Sequence, residues 1–384
     1  MIHIVKPEDC CGCSACKSIC PKQVISMKPD SLGFLYPVVD VDKCVNCGLC
    51  DKVCAFNDHY DTSLNFPEPL SYGVRHKDIK EVETSRSGAA FIALSDLILD
   101  KGGVVYGVGY KEHFRVAHKR ATTKLERDEF KGSKYVQSDM GDVFSQVKKD
   151  LESGLLVLFS GTGCQVAGLS SFIGKRNRDS LFLVDIVCHG VPSPYIWRDY
   201  LNYLERQQKK KVTAVNFRDK KRFGWTAHQE SFELGDSFVS SCVYSKLFCQ
   251  CIMFRHSCGN CHFTNLKRPG DITIADFWGW EKDNPDFNSD DKGANLVLVN
   301  TEKGKKLFEE AQRELDIIEA SREAYLQPNL QHPSVIHKKR ELFEKDYIEK
   351  GFDYIYHHNY DKVPFVIRCL RKIKRTVKGL TCKK

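Results

Sequence analysis

A chain of 384 residues has room for two or three domains, and 42% apolar against 28% charged residues excludes a disordered or fibrous protein. No apolar run reaches the roughly 20 residues that cross a bilayer, and the opening MIHIVKPEDCC lacks a signal-peptide core, so a cytoplasmic chain with reduced thiols is expected. The net charge of +8 is local: eight basic residues and no acid lie between Phe365 and Lys384, leaving 50 basic to match the 50 acidic, which excludes a general attraction to nucleic acid.

Nine of the 18 cysteines fall within the first 54 residues, and in a reducing compartment disulfides do not explain them. Cys10, Cys13, Cys16 and Cys20, followed by Pro21, spell C-x2-C-x2-C-x3-C-P, and Cys44, Cys47, Cys50 and Cys54 repeat the spacing. This is the bacterial ferredoxin pattern for two [4Fe-4S] clusters, in which the last cysteine of each run reaches the other cluster. The expected sets are therefore Cys10, Cys13, Cys16 and Cys54 for cluster one, and Cys44, Cys47, Cys50 and Cys20 for cluster two. Zinc knuckles are the weaker alternative, because they use separated C-x2-C pairs. Cys11 falls outside the spacing, and Ala55 replaces the second proline. So small a segment has little core, so cluster binding must supply much of its folding energy.

Between the runs, VISMKPDSLGFLYPVVDVD predicts two short strands turning at Ser31–Gly33. NDHYDTSLNFPEPL then predicts a polar, proline-bearing linker. SGAAFIALSDLILDKGG has helical periodicity, with Ser87 as N-cap and Gly102 as stop. Strands are expected at GVVYGVGY, LLVLFS, LFLVDIVCHG, VTAVNF, ITIADF and NLVLVNT, with helices around 141–153, from Gln165 and over KGKKLFEEAQREL. The fold class is thus α+β or α/β: a ferredoxin-like dicluster domain, a mixed-sheet domain with flanking helices, and a helical C-terminal tail. The expected domains are 1–56, a linker at 57–70, a main domain at 71–331 and a helical extension at 332–384.

Chemistry in the main domain centres on cysteines. SGTGCQVAG follows a strand and opens a helix, as a phosphate-binding turn would, though Val166 stands where a third glycine belongs. Its Cys164 reads as nucleophile, metal ligand or small core residue; a helix N-terminus activates a thiol for either of the first two. Cys188 ends an apolar strand, where α/β sheets place functional groups. Cys258 and Cys261 form a C-x2-C knuckle, adjoined by His262, as His189 adjoins Cys188. Cys249 and Cys251, spaced CQC, fit no common cluster loop. The basic runs QQKKKV and RDKKRFGW read as solvated faces.

Taken in order, SRSGAAF, GGVVYG, GSKYVQSDMGDVF, LFSGTGCQVAGL, LVDIVCHGVPSP, SCGNCHF and DITIADFWG resemble the family formed by the beta subunits of coenzyme F420 hydrogenases and dehydrogenases. That family includes deazaflavin-reducing subunits and a plant chlorophyll-cycle reductase, and the resemblance covers residues 71 to about 310, behind a fused two-cluster ferredoxin. It implies FAD and a third [4Fe-4S] cluster. By position, Ser87 and Gly88 match the small-residue turn near the flavin, and Lys134, Tyr135 and Ser138 match a segment along it. Gly161, Thr162 and Gln165 match the turn whose helix helps hold the flavin phosphates. Cys164, Cys188, Cys258 and Cys261 complete a ligand set for the third cluster. Two departures stand out: Gly163 replaces the proline of the family's GTPCQ turn, and Ala89 replaces the second glycine after Ser87.

The implied function is an iron–sulfur flavoprotein oxidoreductase passing electrons between ferredoxin-type clusters and FAD, with a redox protein or small molecule as donor or acceptor. The alternatives are a non-catalytic electron-transfer subunit serving a partner enzyme, and a member that keeps clusters for structure alone. In the tail, Val366, Leu370, Ile373, Val377 and Leu380 line one helical face among basic residues, a pattern suited equally to an anionic membrane surface and to docking on protein.

Overall fold

The computed structural model describes residues 1–56, 60–358 and 360. It divides into two compact units, 1–337 and 338–384. The amphipathic segment 365–384 lies outside the described residues.

In the first unit the cysteine-rich segment carries two short helices, α1 (Ala15–Ile19) and α2 (Leu49–Lys52), and an antiparallel pair, β1 (Ile25–Pro29) with β2 (Leu35–Val39). Its turn closes at Gly33, where φ of +83° and the Tyr195 ring 2.5 Å from a would-be Cβ leave room for glycine alone.

The main sheet has eight strands: β3 (Asn65–His76), β4 (Val104–Lys111), β5 (Arg115–Ala121), β6 (Val157–Thr162), β7 (Leu181–Ile186), β11 (Ile272–Asp276), β12 (Asn295–Thr301) and β13 (Leu315–Glu319). Their spatial order is β13-β3-β12-β11-β7-β6-β4-β5. The central run β11, β7, β6, β4 is parallel, and the outer pairs are antiparallel. Parallel strands covered on both faces are apolar throughout, and Val157, Leu158 and Phe159 of β6 are accordingly inaccessible to solvent. A separate antiparallel sheet contains β8 (Ala214–Asn216), β9 (Glu230–Leu234) and β10 (Ser237–Ser241).

Helix α3 (Ala90–Asp100) lies on one face with the Glu302–Ala311 helix; Leu94, Leu97 and Ile98 meet Leu307 and Phe308 in their core. On the other face lie α4 (Val143–Glu152) and α5 (Gly163–Ile173), and that core continues into the cysteine-rich segment through Cys11, Cys13, Ala15, Val53 and Phe56. The two cysteine-bearing regions are therefore halves of one core. Helix α6 (Pro194–Gln208), capped by Ser193, and α7 (Val243–Cys249) pack with β9 around Tyr200, Phe232 and Tyr244.

Two sequence expectations need correction. Strand β3 begins at Asn65, inside the stretch read as linker. Ser87 does not cap α3; Ala89 does, with φ of +64°, while Ser87 donates to the Ala294 carbonyl at 2.6 Å.

The second unit is built on α8 (Arg340–His357), interrupted at Gly351, where φ is +75°. Asp346 accepts from Lys350 at 2.7 Å and from the Tyr360 hydroxyl at 3.0 Å.

Candidate functional site

The predicted thiols gather into three groups. Cys20, Cys44, Cys47 and Cys50 line one small cavity floored by Val24, Ile25 and Val39. Cys16 is close enough to Cys10 and Cys54 for their charges to raise its pKa; burial is the larger cause, and together they push it to about 12. The third group joins the ends of two parallel strands to the knuckle at 258–261. Cys188 is raised well above the ordinary thiol range by burial and then by Cys258, Cys164 and Cys261. The same burial and mutual repulsion push Cys258 to about 12 and Cys261 to about 11. Buried thiols that would repel one another when ionised are a donor set that a cationic metal core relieves. Among the described residues no three His, Cys, Asp or Glu side chains converge on a single-ion site.

Cys164 opens α5 behind a capping box, in which the Gln165 Oε1 accepts from Thr162 N and Oγ1, both at 3.0 Å. The helix N-terminus does not leave this thiol acidic. Cys11 beside it, and then burial, hold its pKa well above the usual value. Cys11, which the ferredoxin spacing passes over, is buried between Cys13 and Cys164 and links the two cysteine regions.

Several contacts fix that juxtaposition. Buried Arg255 donates to the carbonyls of Cys10 at 2.7 Å and Leu35 at 3.0 Å and to Gln137 Oε1 at 3.0 Å, with its guanidinium 4.1 Å from the Tyr36 ring centroid. Gln137 in turn donates to the Cys11 carbonyl at 2.9 Å. Gly168 on α5 presses on Cys13, whose Sγ is 2.8 Å from where a Cβ would stand. Phe56 stacks on His262 at 4.2 Å, so that histidine packs on the dicluster segment.

Beside the third group opens a cavity of about 500 Å³, within the range of cofactor sites. It lies at the carboxyl ends of all four parallel strands, where open α/β sheets bind ligands: Gly107 and Val108 from β4, Ser160 and Gly161 from β6, Cys188 and His189 after β7, Ala275 and Asp276 from β11. Thr162, Gln165, Ser138 and Tyr135 also line it, as do Ser87 and Lys134. Helices α3 and α5 both begin at its wall; there the Ala90 N–H donates to Asn295 Oδ1 at 3.0 Å, and the Thr162 side chain caps α5.

The lining residues differ in what they leave free. Lys134 Nζ donates to the carbonyls of Glu129, Lys131 and Gly132, and burial lowers its pKa to about 7. Gly88, expected beside a flavin, does not line the cavity. A Cβ there would lie 2.2 Å from the Val74 carbonyl oxygen, so the glycine admits a backbone crossing instead. The sequence reading missed Arg86, Arg218, His228 and Trp278, which line the same cavity. Arg86 sat inside the SRSGAAF motif. It pairs with Asp276 at 2.9 Å, yet its buried Nε and Nη1 have no partner, leaving donors for an anionic group. His228 is pushed down to about 4 by burial and then by Arg218 and Arg86, so it is neutral at pH 7.

Residues 155–323 match the family described as the C terminus of the coenzyme F420 hydrogenase/dehydrogenase beta subunit, and residues 9–57 match the 4Fe-4S dicluster domain. The F subunit of the F(420)H(2) dehydrogenase of Methanosarcina mazei is 19% identical over 331 residues, spanning 83% of this chain and 86% of that protein. An uncharacterized ferredoxin of Methanocaldococcus jannaschii is 39% identical over 54 residues, 14% of this chain and 69% of its own. Among solved structures, a chain of the F420-reducing [NiFe] hydrogenase complex from Methanosarcina barkeri aligns with a TM-score of 0.44 at 15% identity, over 77% of this chain and 94% of that one.

Proposed function

The chain belongs to the family of coenzyme F420 hydrogenase/dehydrogenase beta subunits, with a 4Fe-4S dicluster domain before it, and from that premise we propose that it is an FAD-containing oxidoreductase carrying three [4Fe-4S] clusters. Its coarser character, an iron–sulfur electron-transfer protein of this type, follows from the two family matches. The observation that carries the finer reading is adjacency. Cys188 belongs both to the third thiol group and to the cavity wall, and Cys164 of that group touches Cys11, beside Cys13 of cluster one.

Cys44, Cys47, Cys50 and Cys20 would hold the cluster farthest along this sequence of contacts, and Cys10, Cys13, Cys16 and Cys54 the next. Cys164, Cys188, Cys258 and Cys261 would hold the third. A bound flavin supplies the exchange between single electrons and electron pairs. In the cavity, Arg86 offers its two free donor groups to a phosphate, while Gly161, Thr162 and Gln165 shape the turn beneath it. Neutral His228 offers a ring nitrogen without adding charge. A separate protein serves as donor or acceptor, as befits a chain similar to a protein of Methanosarcina mazei that is named as a subunit of a dehydrogenase.

Anaerobic purification followed by iron analysis and acid release of flavin tests this reading. About twelve irons and one FAD per chain are expected. Cys188→Ser should lose the iron of one cluster while the spectrum of the N-terminal pair persists. No flavin after reconstitution would leave a cluster-only electron carrier as the function.

A further inference from the structure

Two thiols, one lining the cavity and one buried behind it, belong to none of the proposed ligand sets. Cys249 ends α7 and lines the cavity. Cys251, two residues on, is 6% exposed and holds φ at +53°, a left-handed conformation costly for any residue with a Cβ. That reversal folds it back on the helix end, with its Sγ 3.8 Å from the Cys249 carbonyl.

An oriented imidazole stands behind Cys251. Asn329 Nδ2 donates to Ser334 Oγ at 3.1 Å, which turns the Asn329 Oδ1 toward His189 Nδ1, also at 3.1 Å. An amide oxygen only accepts, so Nδ1 carries the ring hydrogen, and Nε2 accepts the S–H of Cys251 at 3.4 Å. Phe248 and Phe254 meet the same ring edge-on at 5.2 and 5.4 Å and fix its plane. Cys249 thus lines the cavity while the Cys251 sulfur is held behind it.

We propose that Cys249 and Cys251 are a dithiol–disulfide couple, and that the substrate class exchanged at this end of the cavity is an organic disulfide. The Cys249 thiolate attacks one sulfur of the substrate; that S–S bond breaks and one thiolate leaves. The Cys251 thiolate then attacks Cys249 Sγ, closing the Cys249–Cys251 bond and releasing the second substrate thiolate. The two protons given up by the cysteines end on the two released thiolates. Two electrons pass from the protein dithiol to the substrate, which leaves as two thiols. Restoring the dithiol takes two electrons and two protons, and the supply of those electrons rests on the electron-transfer reading above.

Trypsin releases residues 247–255 as a peptide holding these two cysteines and no other. The full-length protein, purified without oxygen, is treated with bis(2-hydroxyethyl) disulfide, alkylated and digested. The wild-type peptide should be unalkylated and lighter by two hydrogens. Cys251→Ser should stop at a hydroxyethyl mixed disulfide on Cys249. A wild-type peptide that keeps both thiols free, or that stops at the mixed disulfide, overturns the proposal. Reduced viologen should then reopen the bond in the wild type and much more slowly in Cys164→Ser. Bond formation with reopening indifferent to Cys164 would support the couple and overturn the electron-transfer reading.

Discussion

His118 shows how much one buried side chain reports about this molecule. The Ser160 carbonyl lies 3.2 Å from Nε2, so that nitrogen carries the hydrogen, and Nδ1 accepts from Ser138 Oγ at 2.9 Å. Ser138 in turn accepts from Gln165 Nε2 at 2.9 Å, and Phe159 stacks on the ring at 5.2 Å. Gln165 thereby ties the cysteine-bearing turn to strand β5. Burial pushes His118 down to about 4. The unfolded chain takes up this proton near pH 6.5 and the folded one does not, so stability present above pH 6.5 is lost as pH falls toward 4. At pH 5 the wild type should lose about 2 kcal/mol more, relative to pH 7.5, than His118→Gln, measured by urea unfolding of both. Equal losses would show that the imidazole is not the titrating group. The cysteine spacing was legible one residue at a time because a cluster loop is local in sequence; the contacts of Cys11 and Arg86 were not, because their partners lie far along the chain.

Among the elements, α5 does two tasks at once, turning Cys164 toward the third thiol group and offering Gly168 as the seat for Cys13. Gly168→Ala would place a methyl 2.8 Å from Cys13 Sγ and 3.0 Å from its Cβ, forcing the loop outward. Such overpacking typically costs about 1–3 kcal/mol. The melting temperature should fall and the spectrum of the iron–sulfur cluster proposed at Cys13 should shift; an unchanged spectrum would mean that the loop is not held by this helix. The central strands were readable from apolar runs, since both their faces are covered. Strand β3 was not. Pro67 and Pro69 read as linker, and the structure shows why they are tolerated: β13 pairs only with Tyr72–His76, and the register with β12 shifts between Leu70 and Asn65.

Over the whole molecule, the dicluster segment and the main sheet share a core and an arginine clamp within one compact unit. All four tryptophans, Trp197, Trp225, Trp278 and Trp280, lie outside the dicluster segment. Stripping the iron of the dicluster segment from the holoprotein with a chelator should therefore lower the midpoint of thermal unfolding followed by tryptophan fluorescence. A midpoint indifferent to the N-terminal iron would mean that the segment is an independent attachment. The domain boundary drawn at residue 56 marks a change of chemistry, since packing continues across it.

The placement of β3 also sets a timetable for biosynthesis. This strand ends at His76, but its neighbours β12 and β13 begin at Asn295 and Leu315. At a translation rate of about 5–20 residues per second, β3 emerges from the ribosome roughly ten to forty seconds before either neighbour exists. Throughout that interval the nascent chain carries an unmated strand just behind two thiol-rich loops. Iron delivery to those loops while the chain is still being made would occupy their thiols and keep a reactive stretch from wrong partners.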